Sequence, residues 1–309
     1  MRTIKLPLFL ALLLVVIFAS ISIAAWNLFD KNLPAPPITN SPMLNEKVEL
    51  LRANGLSGYQ IIAVGSSMTA NNLDSAVIRE AFTDGRYINM AAGNLKMQEV
   101  RELCLCLAET VSPDYFIVNS NLMDFYKEKA SIGIADYKVY LESKWPNTFY
   151  MKYWNPKYFW RFYTQYAPLR ETRKDYGSLA FDENGGAPLE IYGADINRAR
   201  YNHLPEYDLL YDSQYKHLEL LAAELAEAGI TLIFVQSSYR SGVVGHIETE
   251  QLHRHIDRVQ SIVQTPHIFI DTTVETWDDS LFCDYSHFNA RGAEQYTRYI
   301  VNSLPDSLN

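Results

Sequence analysis

Two short stretches carry residue types that do chemistry in concert, and they lie far apart in the chain. In Ile61–Asn72, IIAVGSSMTANN, an apolar run stops at Gly65 and two serines and a threonine follow. In Asp284-Tyr285-Ser286-His287 a carboxylate and an imidazole stand three residues apart. A serine nucleophile needs a base that takes its proton and an acidic group that orients the base. From one loop, Asp284 can reach one imidazole nitrogen of His287 while the other nitrogen faces a serine. Each stretch also has a plain structural reading. The serines suit a helix N-cap, and Asp284 suits a turn cap with His287 opening a helix. Position favours the chemistry, because open α/β sheets bind ligands outside the carboxyl ends of their strands.

Acyl transfer further needs donors aimed at the developing oxyanion. The serine's own backbone N–H is one. Gly93 follows the next apolar run, and without a Cβ it brings a second N–H close. Asn121 follows the third run and offers a side-chain amide. A turn at Gly93 and a cap at Asn121 are the structural alternatives. All of these residues stand at the end of an expected strand or ahead of the last helix.

The elements that must position them follow a βα rhythm. Ile61–Val64, Tyr87–Met90, Tyr115–Val118, Ile230–Val235 and His267–Ile270 are short apolar runs. Helical spacing separates them at Asp74–Phe82, Met97–Thr110, Tyr207–Ala228 and Ile247–Val263, and Asn289–Leu304 closes the chain. Leu44–Asn54 adds a helix ahead of the first strand. The pattern predicts an α/β three-layer sandwich around a central, mostly parallel sheet. Between the third and fourth strands the rhythm stops. Residues 126–205 form an insertion crowded with aromatics, among them Trp145, Trp154 and Trp160. Mixed periodicity predicts short helices followed by a loop, Tyr176–Pro205. The insertion reads either as a satellite core or membrane-facing patch, or as a lid or sugar-binding wall.

Leu6–Ala25 is nearly all apolar, long enough to span a hydrocarbon core. Arg2 and Lys5 precede it, which orients the N-terminus inward. A cleaved signal peptide is the alternative, and a buried core helix fits poorly at a basic N-terminus. Expected boundaries are an anchor at 1–26, a Pro-rich tether at 27–43 and the α/β domain at 44–309. The catalytic domain would then stand outside the cytoplasmic membrane, in the periplasm or beyond.

Composition narrows the partners. Of 309 residues, 27 are Lys or Arg and 36 are Asp or Glu, a net charge of −9 that argues against a nucleic-acid surface. Cys104, Cys106 and Cys283 make no disulfide framework and read as buried small residues, with a disulfide through Cys283 left open. His253 and His255 read as solvent-facing on a helix. His203, His217, His246 and His267 show no ligand spacing. No metal or cofactor is expected.

The blocks Gly65-Ser66-Ser67, Asn89–Gly93, Asn119-Ser120-Asn121 and Asp284–His287 together resemble those of the SGNH (GDSL-type) hydrolase superfamily. The resemblance covers roughly 60–124 and 207–303, not the aromatic insertion. It implies Ser67 as nucleophile, His287 as base and Asp284 as its orienting carboxylate. It also implies an oxyanion hole from Ser67, Gly93 and Asn121. Three positions depart from the family pattern: Ser66 stands for its usual Asp, Asn119 for Gly and Leu122 for a frequent Asp. With the anchor, the arrangement is similar to DltD-like and alginate-acetylation-like members. These imply a surface glycan or acyl donor as substrate and a multi-spanning membrane acyltransferase as partner. The expected activity is ester hydrolysis or O-acyl transfer through an acyl-Ser67 intermediate. The contrasting expectation is a catalytically weak envelope-assembly or glycan-binding protein that keeps the fold and uses the insertion.

Overall fold

The structure, a computed structural model, describes residues 9–18, 20, 33–82, 85–126, 132–202, 210–244 and 249–305. It divides into two compact units, Met1–Ala35 and Pro36–Asn309. In the first unit, residues 9–18 are helical with their apolar side chains exposed, Phe18 by 73%. The rest of the apolar run at 6–25 lies largely outside the described residues. Among the described residues no helix is long and apolar enough to cross a membrane.

In the second unit five apolar runs become strands: β1 (Tyr59–Ala63), β2 (Arg86–Asn89), β3 (Tyr115–Ser120), β4 (Thr231–Gln236) and β5 (Ile268–Asp271). They form one sheet in the order β2-β1-β3-β4-β5, and every pairing is parallel. A parallel sheet is covered on both faces, which is why its strands read as continuous apolar runs. The alternation is visible in the packing. Ile62, Ile88, Phe116, Val118, Leu232 and Phe234 enter one core, and Ile61, Tyr87, Ile117, Ile233, Val235 and Ile270 enter the other.

The helices divide between these faces. On the first lie α1 (Pro42–Asn54), α4 (Met97–Thr110) and, beyond the insertion, a long helix at Asp212–Glu227, through Leu51, Leu103 and Leu221. The opposite face takes α3 (Ser75–Ala81) and the closing helix at Ala290–Asn302, through Ile78, Tyr296 and Ile300. Between β1 and α3 sits the six-residue α2 (Ser67–Asn72). Helix α1 starts two residues before its sequence-predicted position. Ser41 caps it by accepting from the Leu44 N–H at 3.2 Å, and Pro42 occupies the first turn, where no N–H is needed.

The aromatic insertion is built from α5 (Tyr137–Glu142), α6 (Asn147–Lys152), α7 (Pro156–Arg161) and short irregular turns. Tyr137, Tyr140, Phe149 and Phe162 are buried in the first core, whereas Trp145, Trp154 and Trp160 are exposed. The segment after it carries, among the described residues, a 3-10 turn at Gly193–Asp195 and a short helix, α8 (Arg198–Asn202), but is tied to the sheet. Asn184 accepts from the Asn89 N–H at 2.7 Å. Gly185 beside it has φ +81°, and a Cβ there would meet the Asn89 carbonyl at 2.4 Å, so only glycine fits.

Two expectations need correction. His255 is not solvent-facing: it is 1% exposed and bonded to the Tyr215 hydroxyl at 2.7 Å and the Gln236 amide oxygen at 3.0 Å. Burial, with Arg258 nearby, pushes its pKa down to about 3, so it is a neutral bridging group. Its neighbour His253 is exposed, as expected. All three cysteines are free, and Cys106 is only half-buried.

Candidate active site

Strand order reverses between β1 and β3, the crevice where open parallel sheets take ligands. Ser67 opens α2 directly after β1, and its backbone N–H is among the first-turn donors for which a helix supplies no acceptor. The turn into α2 is crowded. A Cβ on Gly65 would lie 2.1 Å from the Thr69 hydroxyl oxygen and 2.9 Å from the Thr69 Cβ. That hydroxyl donates to the Asn119 carbonyl at 2.7 Å and accepts from the Asn119 N–H at 3.0 Å. The Asn119 amide in turn donates to the Met68 carbonyl at 3.0 Å, so α2 is stitched to β3.

The Asp284–His287 loop arrives from the other end of the chain. Phe282 and Phe288 bridge its base, and the Cys283 N–H donates to the His287 carbonyl at 2.9 Å. Asn72, the last residue of α2, holds this loop. Its amide nitrogen donates to the Ser286 carbonyl at 3.1 Å, and its oxygen accepts from the Phe288 N–H at 3.0 Å. The clamp leaves His287 Nε2 2.9 Å from Ser67 Oγ and His287 Nδ1 2.8 Å from Asp284 Oδ2. Asp284 Oδ1 accepts from the Ser286 and His287 N–H groups at 2.8 and 2.7 Å.

Burial works to raise the Asp284 pKa. The adjoining His287 and those backbone donors outweigh it and hold the carboxyl below its usual range. A carboxylate so fixed keeps the Nδ1–H tautomer and leaves Nε2 to accept the Ser67 proton. His287 and Asp284 are 2% and 0% exposed, and Ser67 is half-buried at the cavity they share.

That cavity has a volume of about 380 Å³ and is walled by Ser67, His287, Gly93, Met123, Tyr176 and Arg200 among others. Gly93 lies in the turn after β2. A Cβ there would meet no atom within 4 Å, so packing does not demand glycine, and Gly93 lines the cavity. Asn121 follows β3, is fully buried and accepts from the Met123 N–H at 2.9 Å. Its amide nitrogen has no hydrogen-bond partner among the described residues. A buried donor left unpaired costs about 1–3 kcal/mol; Asn121 is not among the residues that line the cavity.

Sequence reasoning missed three features. The first lies under Ser66, where the pattern the sequence resembles has Asp. The Ser66 hydroxyl donates at 3.0 Å to the carboxylate of Asp124, which also accepts from the Ser120 hydroxyl at 2.7 Å. The carboxylate therefore sits beside position 66 but comes from the far side of β3. Burial pushes its pKa up against the pull of Lys96 and the two hydroxyls. The second is Asn72, whose clamp leaves no sequence signal beyond a polar residue ending a buried helix. The third is Tyr176 with Arg200, both from the segment read as a plain loop. Tyr176 meets the His287 ring edge-on at 5.1 Å. The Arg200 guanidinium covers the Tyr176 ring at 3.9 Å and lies 3.6 Å from Asp284 Oδ2.

No protein-family model matches the chain, and no curated protein matches it. Solved structures do. An acetylxylan esterase from Geobacillus stearothermophilus, a catalytic mutant, is 14% identical with a TM-score of 0.40, over 79% of this chain and 92% of its own. A proposed lipolytic protein of the G-D-S-L family from Desulfitobacterium hafniense is 12% identical with a TM-score of 0.42, over 81% of this chain and 100% of its own. A GDSL-like lipase from Bacteroides thetaiotaomicron is 9% identical with a TM-score of 0.40, over 84% and 96%.

Proposed function

We propose that this chain is an SGNH-type serine esterase or O-acyltransferase. It is anchored in the cytoplasmic membrane and acts outside it on the acyl group of a cell-envelope or exopolysaccharide glycan. One observation carries the reading: the unbroken line from Ser67 Oγ through His287 to Asp284, at 2.9 and 2.8 Å, opening on a cavity.

His287 Nε2 takes the Ser67 proton as Oγ attacks the ester carbonyl. The Ser67 N–H, the Gly93 N–H and the Asn121 amide receive the oxyanion. On collapse the C–O bond to the leaving alcohol breaks, and His287 returns the proton to that alcohol. The acyl-Ser67 ester then passes to water or to a glycan hydroxyl, again with His287 as base. Which acceptor reacts depends on what the cavity admits beside Ser67. The apolar run at 6–25, helical where it is described, supports the anchor. A multi-spanning membrane acyltransferase is the partner this arrangement suits, delivering the acyl group from the membrane side. The exposed Trp154 and Trp160 support glycan contact.

The test is incubation with p-nitrophenyl acetate followed by intact and peptide mass measurement. An acetyl adduct on Ser67, absent in Ser67→Ala and His287→Ala, is expected. Turnover unchanged in Ser67→Ala would sink the assignment. No adduct and no turnover in the parent chain would shift the fold to a glycan-binding role.

A further inference from the structure

The residue ahead of the nucleophile and the residue ahead of Asn121 share one carboxylate oxygen. Asp124 Oδ2 accepts from the Ser66 hydroxyl at 3.0 Å and from the Ser120 hydroxyl at 2.7 Å. Ser66 caps α2 after β1, and Ser120 is the last residue of β3. The Ser66 hydroxyl also accepts from the Met68 N–H at 3.3 Å, so the bond to Asp124 bears on the turn that opens with Ser67. Ser66, Ser120 and Asp124 are 3%, 0% and 2% exposed.

A third segment reaches the same turn. The buried Lys96 ammonium donates to the Met123 carbonyl at 2.6 Å, and its charge pulls on the Asp124 carboxyl. Lys96 stands three residues beyond Gly93, and its own N–H donates to Glu99 Oε2 at 2.8 Å. The turn after β3 thus joins the three stretches that carry Ser67, Gly93 and Asn121. Asp124 is not among the residues that wall the catalytic cavity, so it acts on a substrate only through others. A buried charge is costly to keep, and its presence is weak evidence of a stabilising role.

We infer that Asp124 is a positioning residue for acyl transfer, setting the spacing between Ser67 and Asn121 by holding the residue ahead of each. The inference rests on the esterase reading, in which the Ser67 N–H and the Asn121 amide receive the oxyanion. Asn121 is buried and does not wall the cavity, so the approach of its amide to Ser67 depends on how this turn is held. Loss of the shared oxygen frees the ends of β1 and β3 to shift relative to each other. A misplacement of about 1 Å in such a site costs about 10²-fold in rate.

The test uses the full chain in neutral detergent micelles with p-nitrophenyl acetate. The values of kcat and KM are measured separately, and Ser67 acetylation is followed by mass. Asp124→Ala should lower kcat about 10²-fold and hold KM within about threefold, the pattern of an interaction realised in the transition state. Asp124→Asn keeps an oxygen for the two hydroxyls and should lose less. Ser120→Ala removes one arm and should lower kcat at constant KM, which keeps the test decisive if Asp124→Ala does not fold. Joining Ser66→Asp with Asp124→Ser places the carboxylate on the other side of the same contact. That pair should regain part of the kcat lost in Asp124→Ser alone. Ile300→Val, in the core on the other face of the sheet, should lower the melting temperature and leave kcat unaltered.

A folded Asp124→Ala protein with kcat within about threefold of the parent overturns the inference. A loss confined to KM does so too, as does a swap that regains the melting temperature and none of the kcat. A fall in kcat in Ile300→Val as large as in Asp124→Ala would make the effect one of stability alone and overturn it as well. Absence of Ser67-dependent acetylation in the parent chain is a distinct outcome, which removes the esterase reading and this inference with it.

Discussion

Replacing Asp284 with Asn changes one atom in the site and asks whether the carboxylate sets the His287 tautomer. Asp284 Oδ1 accepts two backbone N–H groups, at 2.8 and 2.7 Å, and Oδ2 faces His287 Nδ1 at 2.8 Å. In Asp284→Asn the amide oxygen must stay with the two N–H donors. The reverse orientation would set an NH₂ against both of them in a fully buried site, at about 1–3 kcal/mol for each group left unpaired. The NH₂ therefore faces Nδ1, which must accept, and the ring proton moves to Nε2. An Nε2–H donates to Ser67 Oγ and cannot take its proton. The expected loss in kcat is about 10⁴-fold, the scale seen when a serine protease loses this carboxylate. At 1.36 kcal/mol per tenfold, that is about 5.4 kcal/mol of barrier.

The assay is kcat and KM for p-nitrophenyl acetate with adduct mass on Ser67, beside a melt over pH. Folding should survive, since every backbone partner keeps its acceptor. The native carboxyl lies below its usual pKa, so its contribution to stability is complete above the unfolded value of about 3.9. It is lost as pH falls through the lower folded value. The Asn variant should lack that part of the acid limb. A folded Asp284→Asn protein within tenfold of the parent in kcat would refute the tautomer argument.

Asn121→Ala should lower kcat by about 10²–10³-fold with little change in KM, as loss of one oxyanion donor does; an unchanged kcat removes Asn121 from the site. Gly93→Ala should leave the melting temperature unaltered, because a Cβ meets nothing within 4 Å, and yet lower kcat/KM by intruding on the cavity. A drop in stability with unaltered kinetics would reverse that assignment. Ser66→Asp introduces the residue of the pattern the chain resembles but sets a second carboxylate beside Asp124, at the end of what is now a 3.0 Å hydrogen bond. A loss of about 2 kcal/mol, roughly 4–8 °C in Tm, should be recovered by adding Asp124→Ser, and no recovery would count against the pairing. Burial lowers the Lys47 pKa from 10.5 to about 7 against the attraction of Asp182, so the unfolded chain holds the proton more tightly between those values. Stability should rise with pH across that window by up to about 1.4 kcal/mol per unit, and Lys47→Met should lose this slope in urea titrations at pH 7, 8 and 9.

What could be read from the chain alone follows from which signals are local. The strands and their parallel arrangement were legible because the inner strands are buried on both faces and helical spacing lies between successive apolar runs. Asp284 and His287 were legible as a pair because they stand three residues apart, and Ser67 because it follows the first apolar run. Asp124 was not, since its pairing with Ser66 exists only once β3 lies beside β1. The Tyr176–Pro205 segment has no periodicity and shows its role only through its contacts with the sheet and with His287. His255 was misread despite an available signal. Leu252, Ile256 and Val259 form a buried stripe, and His255 falls on that face.

The site divides into a floor and walls with different origins. Its floor is Ser67, Asn72, Asn119, Asp284 and His287, fixed by hydrogen bonds of 2.7–3.1 Å between elements of the sheet framework. Such bonds preorganise the reacting atoms and do not depend on what substrate arrives. The walls, Tyr166, Tyr176 and Arg200 among them, come from segments that interrupt the βα rhythm. Those segments touch the floor mainly through the Tyr176 ring on His287 and the Arg200 guanidinium near Asp284. Arg200 is the exception to a clean division, since its guanidinium shares the Asp284 carboxylate with His287. Under the proposed mechanism, a positive charge there would oppose an imidazolium at His287.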